Sequence, residues 1–188
     1  GLKRGAIGLL STLLVVAASA SMWFWFTPVG VNNYVNKVTL QLAIDSPELL
    51  TYLGAIDNTP LDFHSGKLAD YTKEEEERSI AKLRNAREGL DDYGPDGLSG
   101  QELLTWKIAA WFFDDQLRQA ELRYSGYRVN QISGVTVNMP QFLTDTHVIK
   151  NRKSVRRYLS RLAEFGRVLH ETHERVTDDR ANGVIPPD

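Results

Sequence analysis

The sequence predicts a mainly α protein, an N-terminal transmembrane helix followed by a partial domain of antiparallel helices. Three observations carry that prediction. Between Arg4 and Lys37 there is no charged residue, and residues 5–26 are almost wholly apolar. Beyond them, helix start and stop signals recur, and the apolar residues between those signals follow the three-to-four spacing of a helix face. No stretch alternates apolar and polar residues as a half-buried strand would.

A helix over residues 5–26 rises about 33 Å against a hydrocarbon core of about 30 Å, and so reaches across a bilayer unaided. The run closes with Met22-Trp23-Phe24-Trp25-Phe26, aromatic side chains that suit the headgroup level. Lys3 and Arg4 flank its start and no cation follows until Lys37, which puts the N-terminus in the cytoplasm and everything after Pro28 outside. A cleaved secretory signal is the alternative, because Ala18-Ser19-Ala20 has the small-x-small pattern that a signal peptidase reads. The expected organisation is a signal-anchor over 1–27, a juxtamembrane linker or helix over 28–45, and a helical domain over 46–188. The lipid bilayer is then the partner of residues 5–26.

The chain has no cysteine, which excludes a lipoprotein anchor, a disulfide framework and thiolate metal ligands. A formal charge of −2 with both signs interspersed points away from nucleic acid. The start at Gly1 and the turn-like end Gly183-Val184-Ile185-Pro186-Pro187-Asp188 read as an N-terminal piece of something longer.

Element by element, Ser46-Pro47-Glu48 supplies an N-cap, a proline at the first helical position and an early carboxylate, and Gly54 closes that short helix. Residues 55–71 read as an ordered loop or a pair of short turns. Thr72-Lys73-Glu74-Glu75 forms a capping box, opening a helix that buries Ile80, Leu83, the stem of Arg87 and Leu90 before Gly94-Pro95 stops it. Ser99-Gly100-Gln101-Glu102 forms a second box, opening a helix to about Tyr124 whose apolar members are Leu103, Leu104, Ile108, Trp111, Phe112 and Leu117. Joined by a Gly-Pro turn, these two helices form an antiparallel hairpin. Residues 125–148 read as a loop with a short apolar turn at Phe142-Leu143. A third long helix runs over about 153–178, with Val155, Tyr158, Leu159, Leu162, Phe165, Val168, Leu169 and Val176 as its apolar stripe.

Few residues carry recognisable chemistry. His170-Glu171-Thr172-His173-Glu174 approaches the H-E-x-x-H zinc motif, but its histidines are three apart instead of four and no third ligand stands nearby. A structural or surface role is expected for both. The basic run from Lys150 through Arg152, Lys153, Arg156, Arg157 and Arg161 to Arg167 could hold phosphate or anionic lipid, yet reads better as a solvated face. Glu74 to Glu77 suit the positive end of a helix dipole and need no ligand. Asp114 and Asp115 diverge by about 100° around their helix and cannot converge on one substrate atom. From the residues themselves, no catalytic, cofactor-binding or metal-ligating residue is identified.

Five blocks resemble, in order, a bacterial family catalogued as domain of unknown function 885: Ser46 to Gly54 (SPELLTYLG), Lys67 to Tyr71 (KLADY), Tyr127 to Gly134 (YRVNQISG), Tyr158 to Leu162 (YLSRL) and Gly183 to Pro187 (GVIPP). The resemblance covers roughly residues 40–188, the N-terminal half of that family. Its members are similar to helical zinc metallopeptidases of the gluzincin type, whose metal site is a His-Glu pair followed by Pro-Gly-His and a later carboxylate. That site lies beyond this segment, so the resemblance places no zinc ligand or catalytic glutamate on any residue here. It implies a membrane-anchored N-terminal fragment of a zinc metallopeptidase working outside the cytoplasm, in the inner membrane with its domain in the periplasm. Zinc, peptide substrate and a C-terminal catalytic half then belong to the full-length protein. It further implies that the loop carrying Asn130, Gln131 and Gly134 faces a substrate cleft; the competing reading is that its amides cap neighbouring helix ends. A non-enzymatic, membrane-tethered helical binding module is the alternative function.

Overall fold

The computed structural model describes residues 28–185 together with Val15, Val16 and Ser19. Among these, six helices follow one another with no strand: α1 (Val31–Ile44), α2 (Pro47–Leu53), α3 (Lys73–Asp91), α4 (Gly100–Glu121), α5 (Val135–Asp145) and α6 (Arg152–Ala181). The mainly α expectation holds. The transmembrane helix is corrected: no helix among the described residues is long and apolar enough to cross a membrane. Where the described helices are long they carry charge along their length, as Lys107, Asp114 and Asp115 do in α4, and hydrocarbon does not accept such residues. The single-pass inner-membrane placement rested on residues 5–26 and is corrected with it; apart from Val15, Val16 and Ser19 that segment lies outside the described residues.

Helices α1, α3 and α4 pack together around Val31, Val38, Ala86, Leu90, Ala109, Ala110 and Phe113. The expected antiparallel hairpin is α3 with α4. Arg87 Nε donates to Asp114 Oδ1 at 2.8 Å and Trp106 Nε1 donates to the Leu90 carbonyl at 3.2 Å, so positions descend on one helix as they rise on the other. Gly89 sits under the Tyr34 phenol, which donates to the Ala86 carbonyl at 2.7 Å; a Cβ at 89 would collide with that ring. The α4 face differs from expectation. Ala109, Ala110 and Phe113 point inward, while Leu104, Ile108, Trp111 and Phe112 are exposed. Helix α4 is apolar on more than one side, and the side with alanines lets neighbouring backbones approach closest.

The caps are partly as predicted. Ser46 Oγ accepts from the Leu49 N–H at 3.3 Å, and Gly54 ends α2 in the left-handed region. Thr72 Oγ1 accepts from the Glu75 N–H at 3.3 Å, but the Thr72 N–H goes to Asp70 Oδ1 at 2.8 Å, not back to Glu75. Ser99 makes no side-chain cap to α4.

The loop expected at 125–148 contains a helix, α5, with Pro140 inside it. A proline there removes one backbone hydrogen bond at a cost of about 3 kcal/mol. Burying Met139, Phe142 and Leu143 against Leu68 and Val168 contributes roughly 1.5 to 3 kcal/mol per side chain and offsets it.

Helix α6 spans about 45 Å. Asn151 opens it with a full capping box: its Oδ1 accepts from the N–H groups of Lys153 and Ser154 at 2.9 and 3.0 Å, and Ser154 Oγ accepts from the Asn151 N–H at 2.9 Å. Its inward face is not the expected apolar stripe. Ser154, Arg161, Val168 and Arg175 are buried at seven-residue intervals, flanked by the less exposed Tyr158, Phe165, Thr172 and Asp179, while Val155, Leu159, Leu162, Leu169 and Val176 lie outside. Only Val168 in the strictly buried set is apolar. A polar seam is possible because each buried charge on it finds a partner.

Candidate functional site

Two buried polar clusters line that seam, and they differ in what they can do. The first gathers the 55–71 loop, α2 and the start of α6. Asp62 is buried and accepts from the Asn58 N–H at 2.7 Å, the Ser65 N–H at 3.1 Å and Ser65 Oγ at 2.8 Å, with Arg157 paired to the same carboxylate. His64 is fully buried, its Nε2 at 2.7 Å from Asp57 and its Nδ1 at 3.5 Å from Asp62. Burial pulls the His64 pKa below its usual 6.5, against the opposing pull of Asp57.

Arg161 is also fully buried. It donates from Nε to the Lys67 carbonyl at 2.8 Å and from Nη2 to Thr51 Oγ1 at 2.7 Å, with its guanidinium 4.9 Å from the centre of the Phe142 ring. Burial lowers its pKa to about 10, so it stays charged at neutral pH. Its Nη1 lies 3.1 Å from His147 Nδ1, and because arginine can only donate, that nitrogen must accept. The imidazole proton is therefore on Nε2, which donates to the Ser154 carbonyl at 3.2 Å. Both imidazole nitrogens are engaged, and burial lowers the His147 pKa as well. This cluster ties three elements together through Asp62, Arg157 and Arg161. The basic run is thereby corrected at two positions, since Arg157 and Arg161 are internal ties and not part of a solvated face.

The second cluster surrounds a cavity of about 320 Å³ lined by Tyr71, Arg128, Gly134, Val135, Asn138, Thr172 and Arg175. Its position follows from Gly134, which caps α5 at φ 110°: a Cβ there would stand 2.8 Å from the Arg128 carbonyl oxygen and 2.9 Å from Val129 Cα. Only glycine lets the 127–134 loop fold back so closely, and this brings Arg128 to the cavity. Arg128 Nε lies 2.7 Å from Asp179 Oδ2, and its Nη1 donates to Glu76 Oε1 at 3.3 Å. Arg175, 5% exposed, pairs with Glu76 and donates from Nη1 to the Thr72 carbonyl at 3.2 Å. Arg123 stands 3.9 Å from the same Glu76. The Tyr71 N–H donates to Glu171 Oε2 at 2.9 Å, and burial, reinforced by the Glu48 charge, raises the Tyr71 phenol to a pKa of about 12.

Of the three loop residues singled out in the sequence, Gly134 lines this cavity and the other two do not. Asn130 Oδ1 accepts from the N–H groups of Ile132 and Ser133 at 2.8 Å each, closing a turn of its own loop and capping no helix. Gln131 is exposed at the tip. Glu76 was expected to serve only the helix dipole and is instead the hub for three arginines. Arg128, Arg175, Tyr71 and Thr172 escaped sequence reasoning; the signal that could have found Arg175 is its place two heptads after Arg161.

The remaining candidates stay apart. His170 is exposed and 3.6 Å from Glu174, and His173 is exposed on the same helix. Asp114 accepts from Arg87 while Asp115 accepts from Gln119 Nε2 at 2.7 Å. Among the described residues no three histidine or carboxylate side chains come together to hold a metal ion.

Fold and site together define an all-helical domain whose long C-terminal helix packs through buried arginines. The chain belongs to the family described as bacterial protein of unknown function (DUF885), whose match covers residues 47–188. That segment contains both polar clusters, and α1 alone of the six helices precedes it. No curated protein and no solved structure matches the chain.

Proposed function

We propose that residues 47–185 form the non-catalytic helical N-terminal part of a hydrolase similar to zinc metallopeptidases, and that they build one wall of its substrate cleft. The observation that supports this reading is the cavity between the 127–134 loop, α5 and α6, which lies inside the family-matched segment and presents guanidinium, hydroxyl and amide groups beside the apolar Val135. Such a mixture orients a polar chain such as a peptide without reacting with it. Zinc, where it belongs to the full gene product, is held by residues other than those described here. The full gene product is the material for the test. It should contain zinc in stoichiometric amount and hydrolyse unstructured peptides, with hydrolysis abolished by a chelator. A full product free of zinc and inert toward a mixed peptide library overturns the reading.

A second reading, a non-enzymatic helical binding module, draws on the exposed Leu104, Ile108, Trp111 and Phe112 of α4, an apolar stripe of the kind found at protein contacts. Under it, the Trp111→Lys change abolishes association with a partner protein and the full product needs no metal.

A further inference from the structure

The arginine cavity holds more donors than acceptors. Arg175 uses Nη1 and Nη2 but its buried Nε has no hydrogen-bond partner, Arg128 has none for Nη2 or for Nε, which stands 2.7 Å from Asp179 Oδ2, and Thr172 Oγ1 has none either; against these donors stands one unpartnered buried acceptor, Asp179 Oδ1. Each of these residues lines the cavity. Val135, the first residue of α5, lines it too, so the end of an eleven-residue helix that lacks any side-chain cap faces the same space. Unpaired buried donors are costly, and a helix N-terminus favours negative charge.

We propose that this cavity is a carboxylate-binding pocket that takes the C-terminal carboxylate of a short peptide or of a free amino acid. Two oxygens suit the unpaired Arg128 and Arg175 N–H groups, with the Thr172 hydroxyl as a third donor. Glu76 and Asp179 already neutralise much of the guanidinium charge, so a singly charged carboxylate is accepted where a doubly charged phosphate would meet both carboxylates. Tyr71 and Val135 supply the apolar wall for the last side chain of the ligand, and a volume of about 320 Å³ accommodates one or two residues. The peptide identity of the ligand rests on the substrate-cleft reading; the binding test below needs no hydrolysis and stands or falls by itself.

The probes are alanyl-alanine, its C-terminal amide and acetate, each titrated into the chain and followed by calorimetry. Alanyl-alanine should saturate, and its amide should bind about tenfold more weakly or worse, the loss expected for one charge-assisted contact. Saturation by acetate at the same affinity supports the pocket with a free carboxylate as its ligand, and preference for the dipeptide supports it with a peptide terminus. Thr172→Val preserves shape and should weaken alanyl-alanine several-fold with an unchanged melting temperature. Arg128→Gln, at a partly exposed position, should weaken it further. Equal affinity for acid and amide, unchanged affinity in both variants, or no saturation at millimolar probe overturns the proposal, and the donors then serve ordered water.

Discussion

The α1–α3–α4 cluster and the α5–α6 region bury comparable numbers of side chains and hold together by opposite means. The first is built on apolar side chains, with alanines where backbones meet, and its polar tips, the Tyr34 and Tyr93 hydroxyls and Trp106 Nε1, each tied to a carbonyl. In the second, Arg161, His64 and Ser154 are as deeply buried as any leucine, and α6 reaches α3 through charged groups, Arg175 to Glu76 and Lys73 to Asp178. The difference shows that apolar content is a poor guide to which face of a helix turns inward. Leu159 and Leu162 lie outside on the helix whose Arg161 lies inside.

Substitution at Arg161 attacks that contrast most directly. Arg161→Ala leaves Thr51 Oγ1, the Lys67 carbonyl and His147 Nδ1 without their donor, and should cost about 3 to 5 kcal/mol in urea unfolding, from about 1 to 3 kcal/mol for each buried acceptor left unpaired. A loss below about 1 kcal/mol would mean that water replaces the guanidinium freely and that the region is not held by its charges. Leu90→Ala, the matching change in the apolar cluster, should cost about 3 kcal/mol from lost burial and the cavity left behind. Its effect should be the same at pH 5 and pH 8, since the titratable side chains packed in that cluster, Tyr34 and Tyr93, are pushed above the usual tyrosine value by burial.

Acid should separate the two regions further. His64 and His147 are held below their usual pKa of 6.5 when folded, so the unfolded chain takes up protons first as pH falls. Their contribution is full above pH 6.5 and is lost as pH drops from 6.5 toward their lower folded values. Hydrogen exchange at pH 5.5 should therefore show α6 and the 55–71 loop opening before α3 and α4. Equal loss of protection in both regions would contradict the assignment. The smallest effect is expected from Arg87→Gln, which removes the partly exposed pairs to Asp91 and Asp114 and should cost about 0.5 kcal/mol, screened away by salt.

Much of the fold was legible. Ser46-Pro47, Gly54, Thr72 and the Gly-Pro turn mark their boundaries through local backbone chemistry that needs no tertiary partner. What escaped was set by tertiary contact. Pro140 argues against helix locally, and only burial of Met139, Phe142 and Leu143 explains why α5 forms. Leu104 and Ile108 look like core until the close approach allowed by Ala109 and Ala110 is known. The candidate site was legible only at Gly134, because Arg175 on its helix reads as solvated until Glu76 is brought to it from elsewhere in the chain, and Arg128 in its loop until Asp179 is. Hydropathy marks residues 5–26 as a span, and no helix among the described residues has that character.

The seven-residue repeat along α6 has a consequence for alignment. A helix whose inward face were uniformly leucine could slide by one repeat and find nearly the same surroundings. Here such a slip would carry the Arg161 guanidinium to the place of Val168, among Met139 and Leu143, and leave Thr51 and His147 facing the short Ser154 side chain. Neighbouring rungs differ in chemical identity, so the sequence specifies one setting of the helix against the rest. Replacing Arg161 and Arg175 together by leucine should blur that setting, giving several interconverting alignments that broaden amide signals along α6 while helix content is retained.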